Sequence, residues 1–267
     1  MRMTSLASGS SGNCTLIQSD NDTHILVDAG ISCKRIQDSL HLLGVDVSDL
    51  SGIFITHEHS DHISGLKVLC KKRDIPIYGT LETLSAIQTA DRDGVIDPSL
   101  YHPILPDSYN TVGELTIIPF SNTHDAANPV GYRIESGRQS VAVCTDLGNY
   151  SAYTISHLRG LNAILLEANH DIRMLQSGPY PYSLKRRILS DYGHLSNEAS
   201  GHLLSEILHD GMQHVLLGHL SKDNNYEDLA LEAVRVEVDL GDTPYHASDF
   251  PIDVAKRDRI SETIHII

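Results

Sequence analysis

Ile53-Phe54-Ile55-Thr56-His57-Glu58-His59-Ser60-Asp61-His62 decides how the rest of this chain is read. Its opening residues are aromatic or β-branched and uncharged, the pattern of a buried strand. Its second half sets His57, His59, Asp61 and His62 at the strand's carboxyl end. Imidazole and carboxylate are common ligands of Zn, Mn and Fe, and α/β proteins build their sites in loops at strand ends. A polar turn carrying surface histidines is the bland alternative. A lone histidine would favour it; four ligand-type residues this closely spaced do not.

The surrounding composition narrows the class. A chain of 267 residues has ample core for one large α/β domain, and we expect residues 1–267 to form one. No apolar run approaches membrane-spanning length, and residues 1–6 lack the long apolar stretch of a secretory signal. The cysteines Cys14, Cys33, Cys70 and Cys144 are scattered without a CxxC pair, which fits a reducing cytoplasm better than a disulfide framework. The net charge of −15 argues against non-specific coating of nucleic acid. It is compatible with an enzyme acting on a phosphodiester, because acids that ligate divalent cations are neutralised locally.

Upstream of the motif, residues 15–18 and 24–28 form a hairpin pattern around Ser19-Asp20-Asn21-Asp22. The preceding Ser8-Gly9-Ser10-Ser11-Gly12-Asn13 lacks the Gly-Lys-Ser/Thr end of a Walker loop, so we expect an ordinary flexible turn near the site rather than a phosphate cradle. Residues 31–43 have helical spacing and stop at Gly44. Downstream, residues 63–72 read as a helix whose Lys71, Lys72 and Arg73 suit its C-terminal dipole. Residues 75–78 read as an edge strand, 81–89 as a helix and 99–110 as an irregular connection. Strands are expected over 114–120, 131–135, 140–144, 163–167 and 214–218, and helices over 184–189, 198–208 and 226–238. Six apolar segments thus end in a histidine or an acid: Asp28, His57, His124, Asp146, Glu167 and His219. One such ending means little. Six suggest a shared rim.

Taken in order, Asp28, His57-x-His59-x-Asp61-His62, His124, Asp146 and His219 resemble the motif series of the metallo-β-lactamase superfamily, over nearly the whole chain. The resemblance implies an α/β fold: a four-layer αββα sandwich of two mixed sheets with helices on the outer faces and the site on one rim. It implies two divalent metal ions (Zn, Mn or Fe). His57, His59 and His124 would hold one, Asp61, His62 and His219 the other, and Asp146 would bridge them. Asp28 would orient a ligating histidine from behind. Two ions ~3.5–4 Å apart can share a hydroxide nucleophile and clamp phosphoryl oxygens.

Later segments point to a branch. Leu166-Glu167-Ala168-Asn169, Gly193-His194-Leu195-Ser196 and Leu217-Gly218-His219-Leu220-Ser221 are similar to a series in the tRNA 3′-processing endonucleases. That likeness implies catalytic Glu167 and His194 beside Asp61, with Glu167 orienting His194 and His194 protonating the leaving alkoxide. The bland readings are a structural acid and a helix-start residue. Together with Ser8-Gly9-Ser10-Ser11-Gly12-Asn13 and Thr145-Asp146-Leu147-Gly148, these segments resemble the YycJ/WalJ group, which implies a cytoplasmic 5′-exonuclease with DNA ahead of RNA as substrate. Neither the long arm of the tRNA endonucleases nor the cap domain of the ribonuclease J type is evident. Thiolester or lactam hydrolysis and RNA cleavage are the alternatives. Arg173, Lys185, Arg186 and Arg187 are candidates for holding phosphates, with a solvated helix face as their other reading. His170 is a weaker candidate for touching substrate. Oligomeric state is left open.

Overall fold

Strand side chains alternate between two faces, and here both faces are buried. Ile25 and Val27 pack into one hydrophobic cluster while Leu26, between them, packs into another. Phe54 faces the first cluster and Ile53 and Ile55 the second. That explains why these strands are apolar throughout rather than alternating. The computed structural model describes residues 1–71 and 73–267; Lys72, part of the expected basic helix end, lies outside them.

One mixed sheet holds β1 (Arg2–Ala7), β2 (Cys14–Gln18), β3 (His24–Val27), β4 (Leu50–Phe54), β5 (Ile77–Gly79) and β6 (Tyr101–Pro103) side by side in that order. β1 to β3 run antiparallel and β3 to β6 parallel. The second sheet repeats this plan. β7 (Asn110–Val112), β8 (Leu115–Ser121), β9 (Val130–Ser136) and β10 (Gln139–Cys144) are antiparallel neighbours, and β11 (Ala163–Glu167), β12 (His214–Gly218) and β13 (Ile252–Val254) continue in parallel. The chain then returns to the first sheet, where β14 (Ile264–His265) pairs with β1.

The two sheets face each other across Met3, Ile17, Phe54, Tyr132, Val143 and Leu165, all buried. Outside the first sheet lie α1 (Cys33–Leu42), α3 (Leu66–Cys70) and α4 (Leu81–Ala90), which bury Ile36, Leu40, Leu69 and Leu84 against it. Outside the second lie α5 (Ala152–Leu158), α8 (Asn197–Ile207) and α9 (Glu227–Leu240), packed through Leu158, Leu203, Leu204 and Val234. The short α2 (Ser60–Ile63), α6 (Ile172–Ser177) and α7 (Tyr182–Ile188) flank the rim. The expected αββα sandwich is the observed architecture. Among the described residues no helix is long and apolar enough to cross a membrane.

Several sequence expectations need correction. The helix expected over 63–72 is two helices, α2 and α3, the first opening at Ser60. The break falls at Gly65, where a Cβ would stand 2.0 Å from the Ile31 carbonyl oxygen. Gly65 N–H donates to Ala29 O at 2.9 Å and Ser64 Oγ to Gly30 O at 2.6 Å, so the segment docks on the 29–31 loop instead of running straight. The strand at 75–78 is interior, because β6 lies beyond it inside the segment read as irregular. α5, α6 and strands β1, β6, β7, β13 and β14 were not anticipated; most are too short to show a period.

Candidate metal centre

Each of the six strand-end residues sits where expected, while Asp61 and His62 lie in α2. Asp28 follows β3, His57 follows β4, His124 follows β8, Asp146 follows β10, Glu167 ends β11 and His219 follows β12. Asp28, Asp146 and His219 have φ of 62°, 56° and 54°. This left-handed turn of an L residue costs of order 1 kcal/mol and concentrates at functional sites. It swings the side chain back over the rim as soon as the strand ends.

The side chains converge. His57, His59 and His124 offer ligand atoms that lie within 4.8 Å of one another, and so do Asp61, His62 and His219. Asp146 lies between the two groups: one carboxylate oxygen is 3.1 Å from His62 Nε2, the other 3.7 Å from His124 Nε2 and 3.6 Å from His219 Nε2. Four imidazoles share one orientation. His57 Nδ1 meets Thr56 Oγ1 at 3.1 Å, His62 Nδ1 meets Asp28 Oδ2 at 2.7 Å, His124 Nδ1 meets Gly193 O at 3.0 Å and His219 Nδ1 meets Glu167 Oε1 at 2.8 Å. Each outer nitrogen is engaged, so each Nε2 is turned inward, the arrangement that fixes the tautomer of a metal-ligating histidine. Among the described residues His57 Nε2 is buried without a hydrogen-bond partner. A buried imidazole nitrogen with nothing to bind is what a cation would satisfy.

The charges agree. Burial pushes the Asp61 and Asp146 carboxyls up, but His219 and His62 beside them outweigh it and hold both below the usual range. Burial alone would lower His219; Asp146, Asp61 and Glu167 raise it to about 10. Ionised carboxylates in a buried pocket demand positive charge. A divalent cation supplies it, and the donor set of imidazole and carboxylate fits such a cation.

Glu167 is more central than expected. It is fully buried, and Oε1 takes His194 Nδ1 at 2.9 Å as well as His219 Nδ1. Oε2 accepts the backbone N–H groups of Leu147 and Leu195 at 2.9 and 3.1 Å. Burial raises its carboxyl, yet the two histidines bring it down to about 2. His194 stands at the edge of the cluster, its Nδ1 3.6 Å from Asp146 Oδ1.

Other residues were missed. The Ser8–Asn13 segment turns beside the site, with Gly12 N–H donating to Gly9 O at 3.0 Å, and its ends are tied to the ligand loops: Asn13 N–H donates to Asp61 O at 2.8 Å, and Ser8 Oγ accepts His219 N–H at 2.8 Å. Gly9 N–H fixes Asn13 Oδ1 at 2.9 Å, which aims Nδ2 at His62 Nε2, 3.1 Å away. The sequence signal was Asn13 itself, an amide able to donate and accept that closes a Gly/Ser run. Thr56 donates its hydroxyl to Asp28 at 2.9 Å and was read only as a strand residue. Of the four candidate phosphate cations, Lys185 caps Gln176 O and Gly178 O, and Arg187 forms a two-point ion pair with Asp125. Arg173 and Arg186 are exposed. His170 is buried outside the ligand cluster.

Known proteins resemble this chain in sequence and in fold. The model of the metallo-β-lactamase superfamily matches residues 7–202. The chain is 38% identical over 229 residues to the exodeoxyribonuclease YycJ of Bacillus anthracis, covering 86% of each protein. It is 40% identical over 225 residues to the exodeoxyribonuclease WalJ of Streptococcus pneumoniae, covering 84% of this chain and 83% of that one. The fold is shared with Zn(2+)-bound PqqB from Methylobacterium extorquens at a TM-score of 0.74 and 17% identity, covering 98% of this chain and all of that one. The chain therefore belongs to the metallo-β-lactamase superfamily, and the relatives it matches at 38% and 40% identity are hydrolytic enzymes.

Proposed function

We propose that this protein is a metal-dependent exodeoxyribonuclease. The observation that carries the reading is the joint convergence of two ligand groups on Asp146 with a Glu167–His194 pair beside them. The extent of similarity to exodeoxyribonucleases supports DNA as the substrate. In this reading His57, His59 and His124 hold one divalent ion, Asp61, His62 and His219 a second, and Asp146 both; Zn, Mn and Fe suit the donors. Bound ions of this kind lower the pKa of water and polarise phosphoryl oxygens.

The chain's own residues do the rest. Asp28, held by Thr56, fixes the His62 ring. Glu167 fixes the His219 ring and the His194 ring through one oxygen. His194 delivers a proton to the departing sugar oxygen, a step that imidazole performs near neutral pH and that is worth 10²–10⁴-fold. A thiolate leaves unprotonated, so a thiolester hydrolase would have little use for this pair.

Two measurements test the reading. Metal-loaded protein should hydrolyse bis-p-nitrophenyl phosphate and shorten end-labelled DNA from one end. His59→Ala should reduce both to background while leaving the circular dichroism spectrum unchanged. Equal rates for wild type and His59→Ala would refute the assignment.

A further inference from the structure

We propose that a cleft beside His194 receives the nucleoside that departs with the leaving oxygen. The inference rests on the phosphodiesterase reading and adds what that site selects. The cleft has a volume of about 170 Å³ and is bordered by Gly193 and His194. Its lining combines Tyr180, Leu184 and Ile188 with Ser10, Asn169 and Ser221.

The lining residues differ in chemistry. Leu184 and Ile188 are four residues apart on α7, so they share one helix face. α7 buries none of its residues fully, which leaves that face half-covered toward the cleft. The polar part of the lining is fixed. Asn169 donates to His219 O at 2.8 Å, and Ser221 Oγ accepts the Asn224 backbone N–H at 3.3 Å. A slot lined by both apolar and hydrogen-bonding side chains suits a flat ring whose face is apolar and whose edge and sugar are polar.

The charge excludes the obvious competitor. A free phosphate would need cations, and the cation lining the cleft is Arg187, which Asp125 already neutralises. Tyr180 likewise gives its hydroxyl hydrogen to Asp223 at 2.8 Å. The cleft is therefore made for a neutral body. The ion pair also ties α7 to the residue after His124, so the apolar part of the lining is anchored to the ligand rim.

Position assigns the role. In hydrolysis a water oxygen bonds to phosphorus and the bond from phosphorus to the leaving sugar oxygen breaks. That oxygen keeps the electron pair and takes the proton from His194, and the proton lost by water restores the balance. The group attached to the protonated oxygen must lie on the His194 side, which is where the cleft opens.

Thymidine is the probe, because it carries no phosphate and so makes no claim on the metal ligands. Its binding to metal-loaded protein is measured by calorimetry and by inhibition of bis-p-nitrophenyl phosphate hydrolysis. We expect competitive inhibition in the wild type and at least tenfold weaker thymidine binding in Leu184→Trp, which fills the slot. Metal content and inhibition by inorganic phosphate should match the wild type. Should the tryptophan variant fail to fold, Leu184→Ser, which strips the apolar lining, carries the same expectation. Failure of thymidine to bind the wild type, or equal binding to wild type and variants, overturns the cleft assignment. Loss of bis-p-nitrophenyl phosphate turnover in the wild type itself would instead overturn the phosphodiesterase reading, and calorimetry would still decide the cleft.

Discussion

Glu167 shows how much one side chain can settle. Through Oε1 it holds a histidine of the ligand cluster, His219, and the proposed acid, His194. Two substitutions therefore separate. His194→Ala should lower kcat by about 10²-fold or more with little change in KM, the loss of a general acid, and leave metal content intact. Glu167→Gln should lower kcat and also loosen metal, since second-sphere partners typically contribute 10–100-fold to metal affinity. Kinetics with metal analysis on both variants checks this; full metal occupancy in Glu167→Gln would confine Glu167 to His194. His170 belongs to the same scale. It is only 1% exposed, and burial lowers its imidazole to about 4. A lowered histidine stabilises the fold above its unfolded pKa near 6.5, and that stability is lost as pH falls toward 4. At the acid limit the effect is about 3 kcal/mol. His170→Gln should therefore be less acid-sensitive than wild type when urea midpoints are compared at pH 7 and pH 5; parallel losses would show that the His170 imidazole is not lowered in the folded state.

At the scale of elements, strand endings were legible and loop docking was not. The apolar runs ending in His57, His124, Asp146 and His219 announced themselves because a strand buried on both faces has to be apolar and must stop at a polar residue. What fixes their direction was hidden. Glycines at loop crossings carry no period, and the left-handed turns at Asp28, Asp146 and His219 are properties of the finished rim. The Ser8–Asn13 segment looked flexible by composition, yet it is pinned between Asp61 and His219. Short strands such as β6 and β14 owe their existence to a neighbouring strand, so their own residues say little. Gly30 makes this testable. A Cβ there would stand 1.7 Å from Asp61 O and 2.8 Å from Asn13 N. Gly30→Ala has no side-chain end that can yield, only backbone. It should cost at least about 2–3 kcal/mol, the upper range of overpacking, and move the Asp61 ligand group. Urea denaturation and metal titration check both; a near-neutral Gly30→Ala would mean that the three loops are not interlocked as described.

For the whole molecule, the ligands come from both sheets. His57, His59 and His62 follow β4 in one, while His124, Asp146 and His219 follow strands of the other. Between the sheets the cohesion is apolar, but at the rim it is a set of facing imidazoles and carboxylates in a chain of net charge −15. Without a cation the acids there depend on protonated histidines such as His62 and His219, both raised by the carboxylates around them. A bound ion would link the sheets and replace those protons. Anything that binds the folded state alone stabilises it by ~2.7 kcal/mol at a hundredfold excess over Kd, which for a chain of this size is about 5–10 °C in Tm. Chelation should therefore lower Tm by that order, with Zn or Mn restoring it in proportion to the logarithm of metal concentration. Because the ions displace protons, the metal-dependent part of the shift should shrink as pH falls below the histidine range. Asp146→Asn, which weakens a carboxylate lying between the two ligand groups, should lose most of the metal-dependent shift, read as the difference between its own metal-loaded and chelated Tm. If wild type showed no metal dependence of Tm at neutral pH, the rim could not be a metal bridge between the sheets.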